Sequence, residues 1–257
     1  MSIDRNHVTE VFKNYTAAYD LSDPKVLLKV EHTYRVAEFC DRIAGSLLLS
    51  EEDIDFAWLS GMLHDIGRFE QLRRYHTFMD KYSVNHAELS ADLLFQDRLI
   101  RRFVEAGCID EGMMEMVIRY HNVYALPENL SDRERMFCDI LRDADKVDIL
   151  RVNCETPRTE IYDLPEDAFT NSKITEAVYS DIMNERNVDR RNSSTGIDYI
   201  LGHIGFVYGL VYAESFRLVK EQGYLDELLS FRSRQPDTVR KMDLIRQKVE
   251  GYVQGNL

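Results

Sequence analysis

The sequence predicts an all-α fold, a helical bundle with additional C-terminal helices, and three observations carry that expectation. Helix-start signals recur along the chain, apolar residues return at intervals of three and four, and no run alternates apolar and polar residues long enough to make a strand. The first strong start is Asp23-Pro24, because Asp is a good N-cap and Pro fits the first helical position, where its missing N–H had no partner. Leu28, Val36, Phe39, Ile43 and Leu47 then share one face, with Gly45 near the end. Ser50-Glu51-Glu52-Asp53 and Ser131-Asp132-Arg133-Glu134 match the capping-box pattern. The first predicts a helix through Trp58 and Met62 to a stop near Gly67; the second predicts one through Phe137, Leu141 and Ala144 towards Leu150. Between them, helices are expected near 84–95 and 112–121.

After Leu150 the pattern breaks. Residues 151–172 carry Pro157 and Pro165 and read as a long irregular connection, a candidate lid or boundary, with short strands around 151–165 left open. Helical stretches are expected near 173–185, 197–222 and 237–253, separated by the polar loop 186–196 and by Gly223 and Pro236. The expected organisation is an N-terminal helical extension over 1–24, a helical core over 25–150, and an irregular connection with C-terminal helices packing on the core over 151–257.

With 257 residues, 44% hydrophobic and 30% charged, and with 12 Gly, 5 Pro and 4 Cys, the composition excludes disordered, collagen-like and disulfide-scaffold classes. The formal net charge of −13 works against a broad footprint on a polyanion, so duplex nucleic acid is not an expected partner. A small phosphorylated substrate stays compatible, because a bound divalent metal can reverse the field in one pocket. Cys40, Cys108, Cys138 and Cys154 form no CxxC pair. The N-terminal MSIDRNHVTEVFKNY is too polar for a signal peptide, and a reducing cytoplasm is the expected compartment. The apolar stretch from Ile204 to Ala213 is far shorter than the roughly 20 residues of a membrane span.

The histidines fall where the helical stripes are informative. His32 lies four residues after Leu28 and four before Val36, on the apolar face, where an unsatisfied polar ring costs roughly 1 to 3 kcal/mol. His64-Asp65 stands just before Gly67, and adjacent helical residues diverge by only about 100°, so both can reach one ion. His86 sits in a first helical turn, with Leu89 and Leu93 on its side. His121 continues the stripe Met114, Val117 and Ile118, and Asp145 follows Leu141 by four. Imidazole and carboxylate ligands without thiolate suit Fe, Mn, Zn or Ni better than Ca. Four imidazoles and two carboxylates are enough for two metals if Asp65 bridges. His203, near Ile200 and Val207, reads instead as a packed, hydrogen-bonded histidine, and His7 as a surface residue.

In order and placement, His32, then His64-Asp65 within Leu-His-Asp-Ile-Gly, then Asp145 resemble the HD superfamily of metal-dependent phosphohydrolases, over about Lys25 to Leu150. The resemblance implies that His32, His64, Asp65 and Asp145 hold one metal and that His86 and His121 serve a second; one or two divalent transition metals are expected, Fe or Mn foremost, and with only one, His86 and His121 would be available for proton transfer or phosphate contact. The chain departs from the cyclic-dinucleotide phosphodiesterases of that superfamily, which typically have Lys where Arg68 stands and a Gly-Tyr-Pro motif that is absent here.

Asp65 and Arg68 are the expected catalytic residues. Arg68, one turn past His64, is the best placed cation for phosphate oxygens, followed by Lys146, while His76 sits in the following loop at the expected entrance. The leading expectation is hydrolysis of a phosphate ester or anhydride of a small nucleotide-like molecule. The resemblance also admits a di-iron oxygenase acting on a small polyol or phosphonate. From a third class comes a nucleotide sensor without turnover. Whether the C-terminal helices wall the pocket or make a homo-oligomer contact is left open.

Overall fold

The computed structural model describes residues 3–257, and every regular element among them is helical. In chain order the α-helices are α1 (Arg5–Thr16), α2 (Pro24–Ser46), α3 (Glu51–Leu63), α4 (Ile66–Tyr75), α5 (His86–Ala91), α6 (Glu111–Arg119), α7 (Asp132–Glu155), α8 (Arg158–Tyr162), α9 (Glu166–Thr170), α10 (Glu176–Met183), α11 (Gly196–Ile204), α12 (Ala213–Gln222), α13 (Tyr224–Leu229) and α14 (Pro236–Gly255). They fall into two compact units, Met1–Asp145 and Lys146–Leu257. The division lies five residues before the boundary expected after Leu150, and α1 belongs to the first unit. Residues 1 and 2 of the expected N-terminal extension lie outside the described residues.

The start signals act as read. Asp23 accepts from Lys25 N at the head of α2, and Ser50 accepts from Asp53 N at the head of α3. Ser131 and Glu134 make the reciprocal box, Glu134 N donating to Ser131 Oγ and Ser131 N to Glu134 Oε2. In the first unit α2 packs along α3, where Gly61 removes the side chain that would separate them: a Cβ there would lie 2.6 Å from Ala37 Cα. Phe12 of α1 meets Tyr34 and Phe69 edge to face, and Phe56 of α3 meets Phe137 of α7.

Several expected boundaries move. The α3 helix ends at Leu63, and Gly67 lies inside α4 rather than at a stop, because it serves packing: a Cβ there would lie 2.6 Å from Ser90 N. The helix expected over 84–95 is α5 followed by one wider turn, Asp92–Gln96. Residues 151–172 are the end of α7 and the two short helices α8 and α9, with no strand. The stretch 197–222 is broken after Ile204 by a tight turn, Gly205–Gly209, where Gly209 admits Asn187 so closely that a Cβ would be 2.2 Å from its Nδ2.

In the second unit Asp198 is fully buried and accepts from Thr175 N, Thr175 Oγ1, Ser194 N and Thr195 N, closing the α10–α11 connection. Asp148 is paired bidentately with Arg151, both nitrogen-to-oxygen distances being 2.9 Å. His203 sits 2.7 Å from the Tyr162 hydroxyl, and burial, with Arg190 nearby, lowers its pKa to about 3. An unfolded histidine titrates near 6.5, so between that pH and about 3 the unfolded chain binds a proton that the folded chain does not, and stability falls as pH falls. Urea denaturation at pH 7 and pH 4 is therefore expected to show a smaller acid loss for His203→Gln than for wild type; an equal loss would show that His203 is not a source of the acid sensitivity.

All four cysteines are free. Among the described residues no helix is long and apolar enough to cross a membrane.

Candidate metal centre

The break between α3 and α4 creates the site. Asp65 occupies the N-cap position of α4, where a carboxylate would ordinarily accept from its own helix, yet it makes no capping bond. Gly67 N donates instead to Ser90 Oγ at 3.0 Å, which leaves the Asp65 carboxylate free to face inward. His64, one residue earlier, ends α3 and points the same way. The neighbouring helices then deliver the rest: His32 from α2, His86 from the first turn of α5, His121 just beyond α6, and Asp145 from α7. His32 and His64 are fully buried, and Asp65, His86 and His121 nearly so.

Asp65 presents its two oxygens to two different histidine pairs. Its Oδ2 lies 3.6 Å from both His32 Nε2 and His64 Nε2. Its Oδ1 lies 3.6 Å from His86 Nε2 and 3.8 Å from His121 Nε2. Asp145 Oδ1 joins the first group at 3.1 Å from His32 Nε2 and 3.8 Å from His64 Nε2. All six residues expected to be metal ligands are thus gathered in the N-terminal unit.

The tautomers leave three of these rings able to act as ligands. His64 Nδ1 donates to Gly61 O at 2.8 Å, His121 Nδ1 to Ile118 O at 2.7 Å, and His86 Nδ1 to Asp80 Oδ2 at 2.7 Å. A carbonyl or carboxylate can only accept, so each neutral ring carries a bare lone pair on Nε2. Burial keeps the rings neutral: it lowers His64, and it lowers His86 and His121 to about 4, with Arg68 adding to the effect at His86 and His64 at His121. His86 Nε2 and His121 Nε2 nevertheless stand 3.0 Å apart, and His64 Nε2 and His32 Nε2 3.3 Å. For His86 and His121 this sets two acceptors face to face with no proton to share. Asp65 Oδ1, buried between them, has no hydrogen-bond partner. Ligands about 2.0 to 2.2 Å from one ion stand about 2.8 to 3.6 Å apart as the angle at the ion goes from about 90° to tetrahedral, a range that holds both separations. The residues fit divalent transition metal, and both carboxylates are ionised to receive it. At Asp65, burial opposes ionisation but the charges of Lys29 and Arg68 outweigh it; at Asp145, burial is outweighed first by the His32 hydrogen bond.

Three residues at the site escaped the sequence reading. Lys29 donates to Asp65 Oδ2 at 2.7 Å, Asp80 orients His86, and Arg142 holds the loop after α6. Lys29 precedes His32 by three and Arg142 precedes Asp145 by three, so helical periodicity could have found both. Asp80 lies between α4 and α5, where no period points inward.

The remaining expected site residues have separate fates. Arg68 Nη1 donates to Gln71 Oε1, Phe78 O and Asp80 Oδ1, tying down the 77–85 segment, while its buried Nε lies 3.6 Å from Asp65 Oδ1 without a hydrogen-bond partner. His76 is the exposed, left-handed C-cap of α4. Lys146 lies in the second unit and donates to Gly209 O at 2.5 Å.

No curated protein and no solved structure matches the chain. The family model for the HD domain matches residues 30–150, which span His32 through Asp145. Residues 30–150 of this chain are thus similar to the HD domain, an all-α fold of generally hydrolytic, metal-dependent enzymes.

Proposed function

We propose that the protein hydrolyses a phosphate ester or anhydride of a small nucleotide-like molecule, with two divalent transition metals, Fe or Mn foremost. The observation that carries the reading is the arrangement around Asp65: one buried carboxylate, each oxygen facing its own pair of imidazole nitrogens. His32, His64, Asp65 Oδ2 and Asp145 would hold the first ion; Asp65 Oδ1, His86 and His121 would hold the second. When bound, such ions make water a nucleophile at neutral pH and stabilise charge on a phosphoryl oxygen.

The chain's own residues supply the rest. Asp65 holds the two positions in register because both its oxygens belong to one rigid group. Arg68 directs its unpartnered Nε towards the same space, where a phosphoryl oxygen would complete its hydrogen bonding. Lys29, with its side chain 13% exposed, adds a second cation beside Asp65. Asp80 keeps the His86 ring in the tautomer that turns Nε2 inward, as second carboxylates do for metal-binding histidines.

The test is phosphate release from nucleoside mono-, di- and triphosphates and sugar phosphates, with Mn²⁺ or Fe²⁺ added under anaerobic conditions. Metal-dependent release without oxygen is expected. Product formation only with iron and dioxygen would replace this reading with the oxygenase, and saturable nucleotide binding with no product over long incubation would replace it with the sensor.

A further inference from the structure

Arg142 is nearly buried, 7% exposed, and although Asp139, Asp143 and Asp145 lie near enough to favour its charge, its hydrogen bonds go to backbone carbonyls. Its guanidinium is turned instead to the chain that follows α6. Nη1 donates to Tyr120 O at 3.0 Å and Val123 O at 2.6 Å, with His121 O at 3.5 Å, and Nη2 reaches Tyr124 O at 3.4 Å. Carbonyls at and beyond a helix C-terminus have no partner in their own helix, and a planar fork of five donors can gather several at once, which an ammonium cannot. The gathered segment carries His121. It also reaches α5, because Asn122 Nδ2 donates at 2.9 Å to Asn85 Oδ1, the same oxygen that caps α5 by accepting from Ala87 N and Glu88 N, next to His86.

Arg142 stands one helical turn before Asp145 on α7. The helix that presents Asp145 to the first histidine pair thus also grips, through Arg142, the segment that presents His121 and steadies the start of the helix that presents His86. We infer that Arg142 is the positioning residue of the second metal position: by clamping residues 120–124 it holds His121, and through Asn122 and Asn85 it holds His86, at the spacing needed to share an ion with Asp65 Oδ1. The inference rests on the two-metal reading above. A guanidinium that merely filled a polar gap in the core would support the fold as a whole and leave the two positions equally affected.

The experiment is titration of metal-free wild type and Arg142→Lys with Mn²⁺, counting tight equivalents and recording the electron paramagnetic resonance of the loaded protein. Wild type is expected to take up two equivalents and give the signal of an exchange-coupled pair. Arg142→Lys keeps the charge but loses the fork; it is expected to retain the first equivalent at wild-type affinity, to bind the second about 10- to 100-fold more weakly, and to give an uncoupled six-line signal at one equivalent. Two equivalents at wild-type affinity with the coupled signal in Arg142→Lys would overturn the inference, and so would equal weakening of both equivalents. A wild type that binds one equivalent would remove the two-metal reading itself, an outcome visible before any variant is compared. Far-UV circular dichroism and the melting temperature of the metal-free proteins report folding. Should Arg142→Lys fail to fold, Asn122→Ala cuts the same connection from its more exposed side and is held to the same expected loss of the second equivalent only.

Discussion

Asp65→Ala is expected to lose both metals and to lower kcat by at least about 10³-fold, because it removes the one group that faces both histidine pairs. His32, His64 and Asp145 would remain as a three-residue remnant of the first position, and His86 and His121 as two of the second. Elemental analysis of protein purified without chelator reads the first effect, and phosphate release reads the second. The variant also strands Lys29, whose ammonium now pairs with Asp65 Oδ2 at 2.7 Å; removing one partner of a buried pair costs about 3 to 5 kcal/mol, and partial exposure of Lys29 reduces this. Asp65→Asn is therefore the companion: it keeps the shape and one acceptor oxygen, so its metal loss cannot be attributed to unfolding. Turnover surviving in both variants would show that Asp65 does not organise the chemistry.

Gly61→Ala is the second large effect, and it is one of packing. The added methyl would lie 2.6 Å from Ala37 Cα and 2.8 Å from Ala37 N. Both are backbone atoms of α2, so no side chain can rotate away, and α2 and α3 must separate along the contact that brings His32 to His64. Forcing a methyl into a closed core contact costs about 3 kcal/mol, the upper part of the usual range because the obstacle is backbone. In a chain of this size that lowers the melting temperature by about 6 to 12 °C. The melt is made on metal-free protein, so that lost metal binding does not add to the shift. A metal-free Gly61→Ala protein melting within 2 °C of wild type, by the same estimate, would mean that the α2–α3 contact is looser than the structure has it.

The two effects differ in how far the sequence announced them. Asp65 was legible because His64-Asp65 ends a recognisable helix, and because His32, His121 and Asp145 each continue an apolar stripe where a polar group has to find a partner. Gly61 was not, since a glycine inside a helical pattern looks the same whether it is tolerated or required. Gly67 was misread for that reason: next to a helix end it resembled a terminator, whereas its role is to let Ser90 approach and take over the cap that Asp65 gives up. Similarly, 197–222 looked like one helix because its apolar content is continuous, and only the packing of Asn187 against Gly209 explains the break.

By itself, the sequence determined the helical class, the helix starts at Asp23, Ser50 and Ser131, and the identity of six inward-facing ligand candidates, because capping and amphipathic period are properties of residues a few positions apart. The tertiary structure alone decided that Asp65 divides its two oxygens between two histidine pairs, that Asp80 and the carbonyls of Gly61 and Ile118 set the ring tautomers, and that Lys29, Arg68 and Arg142 spend their charges on a carboxylate, a loop and a row of carbonyls. Those are relations between residues separated by tens of positions. No local pattern encodes them, because they arise only when helices carrying complementary groups pack at van der Waals distance and most buried donors and acceptors find partners there.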